Sequence, residues 1–480
     1  MDARPSPPVT PARTPLPTRP APGFCLVPDD APEPVDAPGL DARAEAWARW
    51  LRDAGLRRGD RLACAVAPGA AFAALVLAAT RLGLAFAPAP PNADLEQLLD
   101  GADARLVVAP NAAGAARASP APDGGPLASS APVLRPASGD STPGVAFLVQ
   151  TSGSTGAPRR VALSGANVAA VLASHTAPLG LTDGAAAASV LPWHHVFGLV
   201  LELLPALLGG AALVRDRAGG RDLASLLALA GRGRGGRRVT HLHAVPHTVR
   251  LLAEHERGAA WLAGLRGGLV GGAPVDAWLA RQLAATRLRV GYGQTEAAPG
   301  IALGEPGAWR AGTLGRPIGC EVRLDDDGVL AFRGPNACLG EFRDAALHRL
   351  PPDRWVRTGD LARAEPDGTY TLEGRAADSF KLENGRYVAA LTVERVVLAR
   401  WPHLTDALLS TPDGRSLVLA VSAADPRALL PNADDVAPLL GPLARRPLQV
   451  KRVAAGAWVR TAKGELDRRF PLGRPDADGG

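Results

Sequence analysis

Apolar positions recur along the first two thirds of the chain in two alternating rhythms. RAEAWARWLRDAGL (43–56) spaces its apolar residues by three and four, as a one-sided helix does. RLACAVA (61–67) reads as a strand, and AAFAALVLAATRLG (70–83) is helical again. RLVVAP (105–110) and VAFLVQ (145–150) are short apolar runs of the kind found in buried strands. Strand and helix in alternation predict parallel sheets with helices on both faces. From about 312 to 373 the pattern shifts to short strands with turn signals, such as EVRLDDDGVLAFRG, in which DDDG predicts a hairpin turn. After GRAADSF (374–380) the units become smaller, with ALTVERVVLARW (390–401) as a helix and SLVLAVSA (416–423) as a strand. The expected fold is α/β. A large N-terminal domain of helix-covered, mostly parallel sheets plus a small β subdomain (39–373) follows a disordered Pro-rich tail (1–38). A smaller, mobile α+β C-terminal domain (374–480) completes the chain.

Composition narrows the class. A chain of 480 residues, 47% hydrophobic, can bury one large core or a few smaller ones. Cys25, Cys64, Cys320 and Cys338 form no CxxC pair, and no histidine stands at ligand spacing, so neither a disulfide framework nor a zinc site is expected. The opening residues lack the apolar core of a secretory signal, and a cytoplasmic protein is the expectation. The two most apolar stretches are interrupted by Arg81, and by Glu202 and Pro205, within the length of a membrane span. They are read as buried helices, with no membrane span. A net charge of +6 and a pI near 9.6 suit an anionic ligand. The basic run GRGRGGRR (231–238) sits between a helical and a strand pattern and is read as a solvated loop, so no nucleic-acid partner is expected.

The chemistry concentrates in TSGSTGAPRR (151–160), directly after the strand pattern VAFLVQ. Its glycines let backbone amides approach phosphate oxygens, and its hydroxyls add donors without bulk. The carboxyl end of a buried strand is where open α/β sheets bind ligands. The Walker pattern is absent, and taken alone such a loop reads first as a flexible linker.

Four further stretches change that reading: GGAP (271–274), GYGQTE (291–296), RTGD (357–360) and GRAADSFK (374–381). In this order and spacing, together with TSGSTGAPRR, they resemble the motifs of the adenylate-forming superfamily, which includes the acyl-CoA synthetases, nonribosomal peptide adenylation domains and luciferases. The resemblance spans roughly residues 40 to 470. It implies an enzyme, an acid–thiol ligase that uses ATP and Mg²⁺. Thr151, Ser152, Gly153, Ser154, Thr155, Gly156 and Arg159 are implied to cradle the ATP phosphates. Gly272, Ala273, Pro274, Tyr292 and Gly293 resemble the adenine pocket, Thr295 the α-phosphate contact, and Glu296 the Mg²⁺ carboxylate. Asp360 and Arg375 resemble the pair that holds the ribose; read without the resemblance, Asp360 is a turn or capping aspartate. In LPWHHVFG (191–198), His195 falls on the position at the carboxylate entrance, or else is a satisfied core histidine, and His194 receives no role. Lys381 is placed among the catalytic candidates.

The implied reaction has two steps: a carboxylate attacks the α-phosphorus of ATP, releasing pyrophosphate, and the thiol of CoA or of a carrier-protein phosphopantetheine then displaces AMP. FKLENGRYV (380–388) is closer to the long-chain acyl-CoA synthetase branch, and PWHHVFG holds no aspartate to meet an α-ammonium group. The expected substrate is an acyl or aryl acid without a free α-amine. Three departures stand out. Arg159 and Arg160 replace the usual Lys-Gly, keeping charge but presenting a planar fork. Ala377 replaces the usual Asp or Lys at the hinge. RTAKGELDR puts Glu465 where the catalytic lysine belongs, with Lys463 the nearby compensator. A degenerate homologue that binds nucleotide without adenylating, or that performs only the thiol-transfer half, is therefore the alternative.

Overall fold

The helical spacing of residues 43–56 becomes the helix Ala37–Asp53, whose start is capped by Asp36 accepting from the Gly39 amide at 2.9 Å. It buries Leu40, Ala44, Trp47, Ala48 and Leu51, one stripe of its surface. The helix Ala70–Leu82 buries eight consecutive residues, Phe72 to Ala79, and is therefore covered on all sides. These elements belong to a computed structural model that describes residues 16–28, 33–94, 101–109, 133–134, 142–151, 159–230, 238–381, 387–411, 416–443, 447–459 and 466.

The chain forms two compact units, residues 1–321 with 332–356, and residues 322–331 with 357–480. In the first unit one sheet runs, in order, Thr313–Pro317, Ala302–Leu303, Arg289–Tyr292, Gly267–Gly271, His241–Ala244, Ala186–Ser189, Ala212–Arg215, Cys25–Val27 and Val35–Asp36. The six strands from Arg289–Tyr292 to Cys25–Val27 are mutually parallel, and the flanking strands are antiparallel. The second sheet runs Ala346–Arg349, Gly340–Arg343, Arg159–Ser164, Val145–Thr151, Ala85–Pro88, Arg61–Cys64, Leu106–Val108 and Val133–Leu134. Its inner strands are parallel and its ends antiparallel. This is the α/β architecture expected from the sequence.

One core fills the space between the two sheets. It takes Leu26, Ala187, Leu213 and Leu269 from the first sheet and Leu62, Phe86, Phe147 and Leu163 from the second, with the helices Ala37–Asp53 and Ala70–Leu82. Aromatic rings cross it in a row: Trp193 lies 5.8 Å from Phe72, Phe72 5.6 Å from Phe86, and Phe86 6.4 Å from Phe147. Each such buried Phe or Leu contributes about 1.5–3 kcal/mol.

One expectation changes. Part of the stretch assigned to a tail is built into the first sheet, because Phe24, Cys25 and Leu26 are wholly buried and Cys25–Val27 pairs in parallel with Ala212–Val214. Residues 1–15 and 29–32 of that stretch lie outside the described residues. The chain resumes after the hydroxyl loop as the strand Arg159–Ser164, antiparallel to Val145–Thr151.

In the second unit, Asp325–Gly328 makes the predicted turn, with the Gly328 amide on the Asp325 carbonyl at 2.8 Å. Farther along, Leu404–Ser410, Leu417–Ala423 and Leu448–Arg452 form a three-stranded sheet under the helix Ala390–Arg400, with Val393, Val397, Leu409, Leu419 and Val421 in a core of their own. Cys25, Cys64, Cys320 and Cys338 form no disulfide. Among the described residues no helix is long and apolar enough to cross a membrane. Most of GRGRGGRR, 231–237, lies outside the described residues.

Candidate active site

The motifs of the first unit gather at the carboxyl ends of its parallel strands. GGAP begins where Gly267–Gly271 ends and GYGQTE where Arg289–Tyr292 ends, and these strands are neighbours with Gly271 opposite Gly291. Gly272 takes a positive φ of 84° that opens the turn into Ala273 and Pro274. Tyr292 is half-buried at the strand end. Gly293 cannot carry a side chain: a Cβ there would lie 1.4 Å from the Pro299 carbonyl oxygen. That close approach folds residues 293–301 into a tight loop, closed by the Ile301 amide on the Tyr292 carbonyl at 3.0 Å.

Thr295 and Glu296 sit at the tip of this loop in a single 3₁₀ turn, Thr295–Ala297. Both are half-buried. The Glu296 carbonyl accepts from the Cys338 amide at 2.8 Å, and the turn contacts the strand Arg159–Ser164. The turn is thus beside the strand that leaves the hydroxyl loop. Asn167 and Asn336 fasten the same region: Asn167 donates to the carbonyls of Pro335 and Ala337, both at 2.8 Å, and Asn336 donates to Gly300 at 2.6 Å. Neither asparagine was marked by the sequence motifs. Among the described residues no three His, Cys, Asp or Glu stand together as a metal cage. A lone carboxylate such as Glu296 fits a cation completed by substrate phosphates, the usual manner of Mg²⁺.

Thr151 ends its strand half-buried, and Ser152, Gly153, Ser154, Thr155 and Gly156 lie outside the described residues. Arg159 opens the returning strand opposite Thr151. Arg160 is buried against Gly101, where a Cβ would lie 2.2 Å from its guanidinium, and burial lowers its pKa. Its charge is packed away in the second sheet.

His195 is exposed and precedes the one-turn helix Val196–Gly198, its amide on the Pro192 carbonyl at 3.2 Å and its carbonyl holding the Leu199 amide at 3.0 Å. Its ring centroid lies 4.4 Å from that of His194. Burial, then the neighbouring His195 and Arg215, push His194 down to about 4, so it is neutral at physiological pH.

In the second unit Asp360 and Arg375 face each other across an antiparallel ladder, joined by an ion pair of 2.7 Å between Nε and Oδ1. Asp360 is 8% exposed and Arg375 59%. The Asp360 amide donates to Thr358 Oγ1 at 3.0 Å, which in turn donates to the Leu330 carbonyl at 2.8 Å. Ala377 is exposed in the 3₁₀ turn Ala376–Asp378, and Lys381 ends the strand Ser379–Lys381. Lys463 and Glu465 lie outside the described residues.

Parallel strands whose carboxyl ends carry glycine-rich turns, a tyrosine and a turn-borne carboxylate define an open α/β protein of the kind that binds ligands at that edge. The sequence model of the AMP-binding enzymes matches residues 39–340, and the chain belongs to that family, within the adenylate-forming superfamily. A feruloyl-CoA synthase of Amycolatopsis sp is 29% identical over 418 residues, 78% of this chain and 83% of the relative. Long-chain-fatty-acid–CoA ligase 1 of Homo sapiens is 33% identical over 151 residues, 28% of this chain and 22% of that one. ATP-bound MatB from Rhodopseudomonas palustris has the same fold, with a TM-score of 0.73 at 20% identity over 93% of this chain and 95% of that one.

Proposed function

We propose that the chain couples ATP cleavage to activation of a carboxylic acid and passes the acyl group to a thiol. The carboxylate attacks the α-phosphorus, the bond to pyrophosphate breaks, and the thiol sulfur then takes the acyl carbon while AMP leaves. Membership of the AMP-binding family carries this reading. It is supported by Tyr292, Thr295 and Glu296 lying at one end of the parallel sheet, next to the strand that leaves the hydroxyl loop. Tyr292 and the GGAP turn offer a flat ring and exposed backbone to adenine, and Thr295 donates to the α-phosphate. Glu296 holds Mg²⁺, which neutralises phosphate charge when bound. His195, exposed at the start of its helix, meets the carboxylate. The acid is an acyl or aryl acid without an α-amine, as in the feruloyl-CoA synthase relative, and the acceptor is CoA or a phosphopantetheine arm. ATP–pyrophosphate exchange with a panel of carboxylic acids tests this. Exchange with one acid class supports it, and none with any acid counts against adenylation.

Glu465 favours a second reading, in which the chain binds nucleotide or adenylate but carries out only thiol transfer. Thioester formation from a synthetic acyl-adenylate, without pyrophosphate exchange, is its signature.

Asp360 and Arg375 are assigned to the ribose hydroxyls. Asp360→Ala should weaken ATP and AMP binding about tenfold to a hundredfold, the value of hydrogen bonds to a charged acceptor. The fold should survive, because the partner left behind, Arg375, is 59% exposed and stays hydrated. Equal affinities in calorimetry would remove RTGD from the site.

The domain that begins near 374 is proposed to rotate between the two steps about the segment containing Ala377. Limited proteolysis is then expected to cut near residues 370–380, and an acyl-adenylate analogue to change the rate of cutting. Cutting confined to the first residues of the chain would contradict such a rotation.

A further inference from the structure

Glu202 interrupts an otherwise apolar run, and in the fold it is completely buried. It lies on a π-helical turn, Leu199–Leu203, between the one-turn helix after His195 and the helix Leu204–Gly209. Turns of this kind are rare and concentrate at functional sites.

Its carboxylate ties down the segment that leads into the histidines. Oε1 accepts from Ser189 Oγ at 2.5 Å and from Trp193 Nε1 at 2.8 Å. Arg215, the register partner of Ser189 on the adjacent strand, completes the network. Its Nη1 donates to Ser189 Oγ and to the Ser189 carbonyl, both at 3.0 Å, and to the Leu191 carbonyl at 2.8 Å. Its guanidinium also stands 5.4 Å from the centre of a Trp193 ring. Residues 189, 191 and 193 are thereby held, and the next two positions are His194 and His195.

The charges around Glu202 are few. Burial pushes it up to about 7, opposed first by Arg215 and then by the Ser189 and Trp193 hydrogen bonds and the Leu191 backbone. Burial also lowers Arg215, which Glu202 and Asp216 support. Two histidines lie nearby. His194 stays neutral above about 4, and His243, in register with Ser189 on the other neighbouring strand, above about 3, both mainly through burial. Keeping an acid in such a place is costly, and an apolar residue of similar size would pack the run without that cost.

We propose that Glu202 is a positioning residue: by holding Trp193 and Ser189 it fixes the Trp193–His195 segment, so that His195 presents one ring orientation to the acid's carboxylate. This rests on the role given to His195 above. It is tested on the full chain with Glu202→Gln, which accepts the same two hydrogen bonds through its amide oxygen, and Glu202→Leu, which accepts none. The histidine ring resonances are recorded by heteronuclear NMR without substrate, with His195→Ala supplying the assignment. Glu202→Leu should shift or split the His195 signals, and Glu202→Gln should restore the parent pattern. In pyrophosphate exchange, Glu202→Leu should raise the KM for the acid on the order of tenfold while leaving that for ATP within about twofold, since small misplacements near reacting groups are expensive. Should Glu202→Leu fail to fold, Trp193→Phe removes the N–H donor while keeping a ring beside Phe72, and the same spectrum decides. A parent without exchange would count against adenylation, while the spectrum would still judge the positioning role. His195 signals that overlay those of the parent in the variant lacking the hydrogen bond overturn the proposal.

Discussion

Glu296→Gln is expected to lower pyrophosphate exchange by about 10² while leaving the melting temperature unchanged. The substitution keeps the shape and removes the charge. The backbone of the turn is fastened independently of the side chain, through the Glu296 carbonyl on the Cys338 amide and through Asn336 on Gly300. A fall in rate therefore reports the carboxylate and not the loop. The size follows from losing one charge contact to a transition state in which negative charge moves onto phosphate oxygens. A second signature should accompany it: the Mg²⁺ concentration for half-maximal rate should rise. A variant with the parent's rate at limiting Mg²⁺ would place the cation elsewhere.

The second large effect belongs to Glu465. In the family that the motifs resemble, a lysine at this position bridges the acid and the α-phosphate during adenylation. A glutamate reverses the charge near forming negative charge, and the missing contact alone costs on the order of 3–4 kcal/mol, or 10² to 10³ in rate. The parent is expected to adenylate slowly or not at all, and Glu465→Lys to raise exchange at least about tenfold, a floor set below that range. Lys463, two residues earlier, is the alternative source of the charge, since residues two apart on an extended segment share a side. Brisk exchange by the parent, unaffected by Lys463→Ala, would require the positive charge to come from another part of the chain.

Much of this architecture was legible in the sequence because its signals are local. The spacing of Leu40, Ala44, Trp47 and Leu51 marks a one-sided helix, and the uninterrupted apolar run around Phe72 marks one enclosed by its neighbours. The glycine-rich turns announce themselves because a position such as Gly293 admits no other residue. What was not legible depends on partners distant in sequence. Phe24–Val27 looked like part of a proline-rich tail, and only pairing with Ala212–Val214 makes it a strand. Arg160 stands beside Arg159 in the sequence, and only the strand shows it packed against Gly101. Glu202 looked merely like a break in an apolar run. Its partners Ser189 and Arg215 stand 13 residues before and after it, and nothing local marks them as a set. A single acid inside a long apolar stretch is itself the available signal, since an unsatisfied charge there would be prohibitively expensive.

The shared core between the two sheets has a consequence for how the first unit comes apart. Leu26 and Leu213 from one sheet and Leu62 and Phe147 from the other belong to the same packed cluster, and the helix Ala70–Leu82 is enclosed by it. Opening either sheet alone would expose the face of the other and strip that helix of its surroundings. The two sheets are therefore expected to come apart together around this core. The strand Val145–Thr151 and the histidine segment, at opposite ends of the row of rings from Phe147 to Trp193, are expected to loosen together.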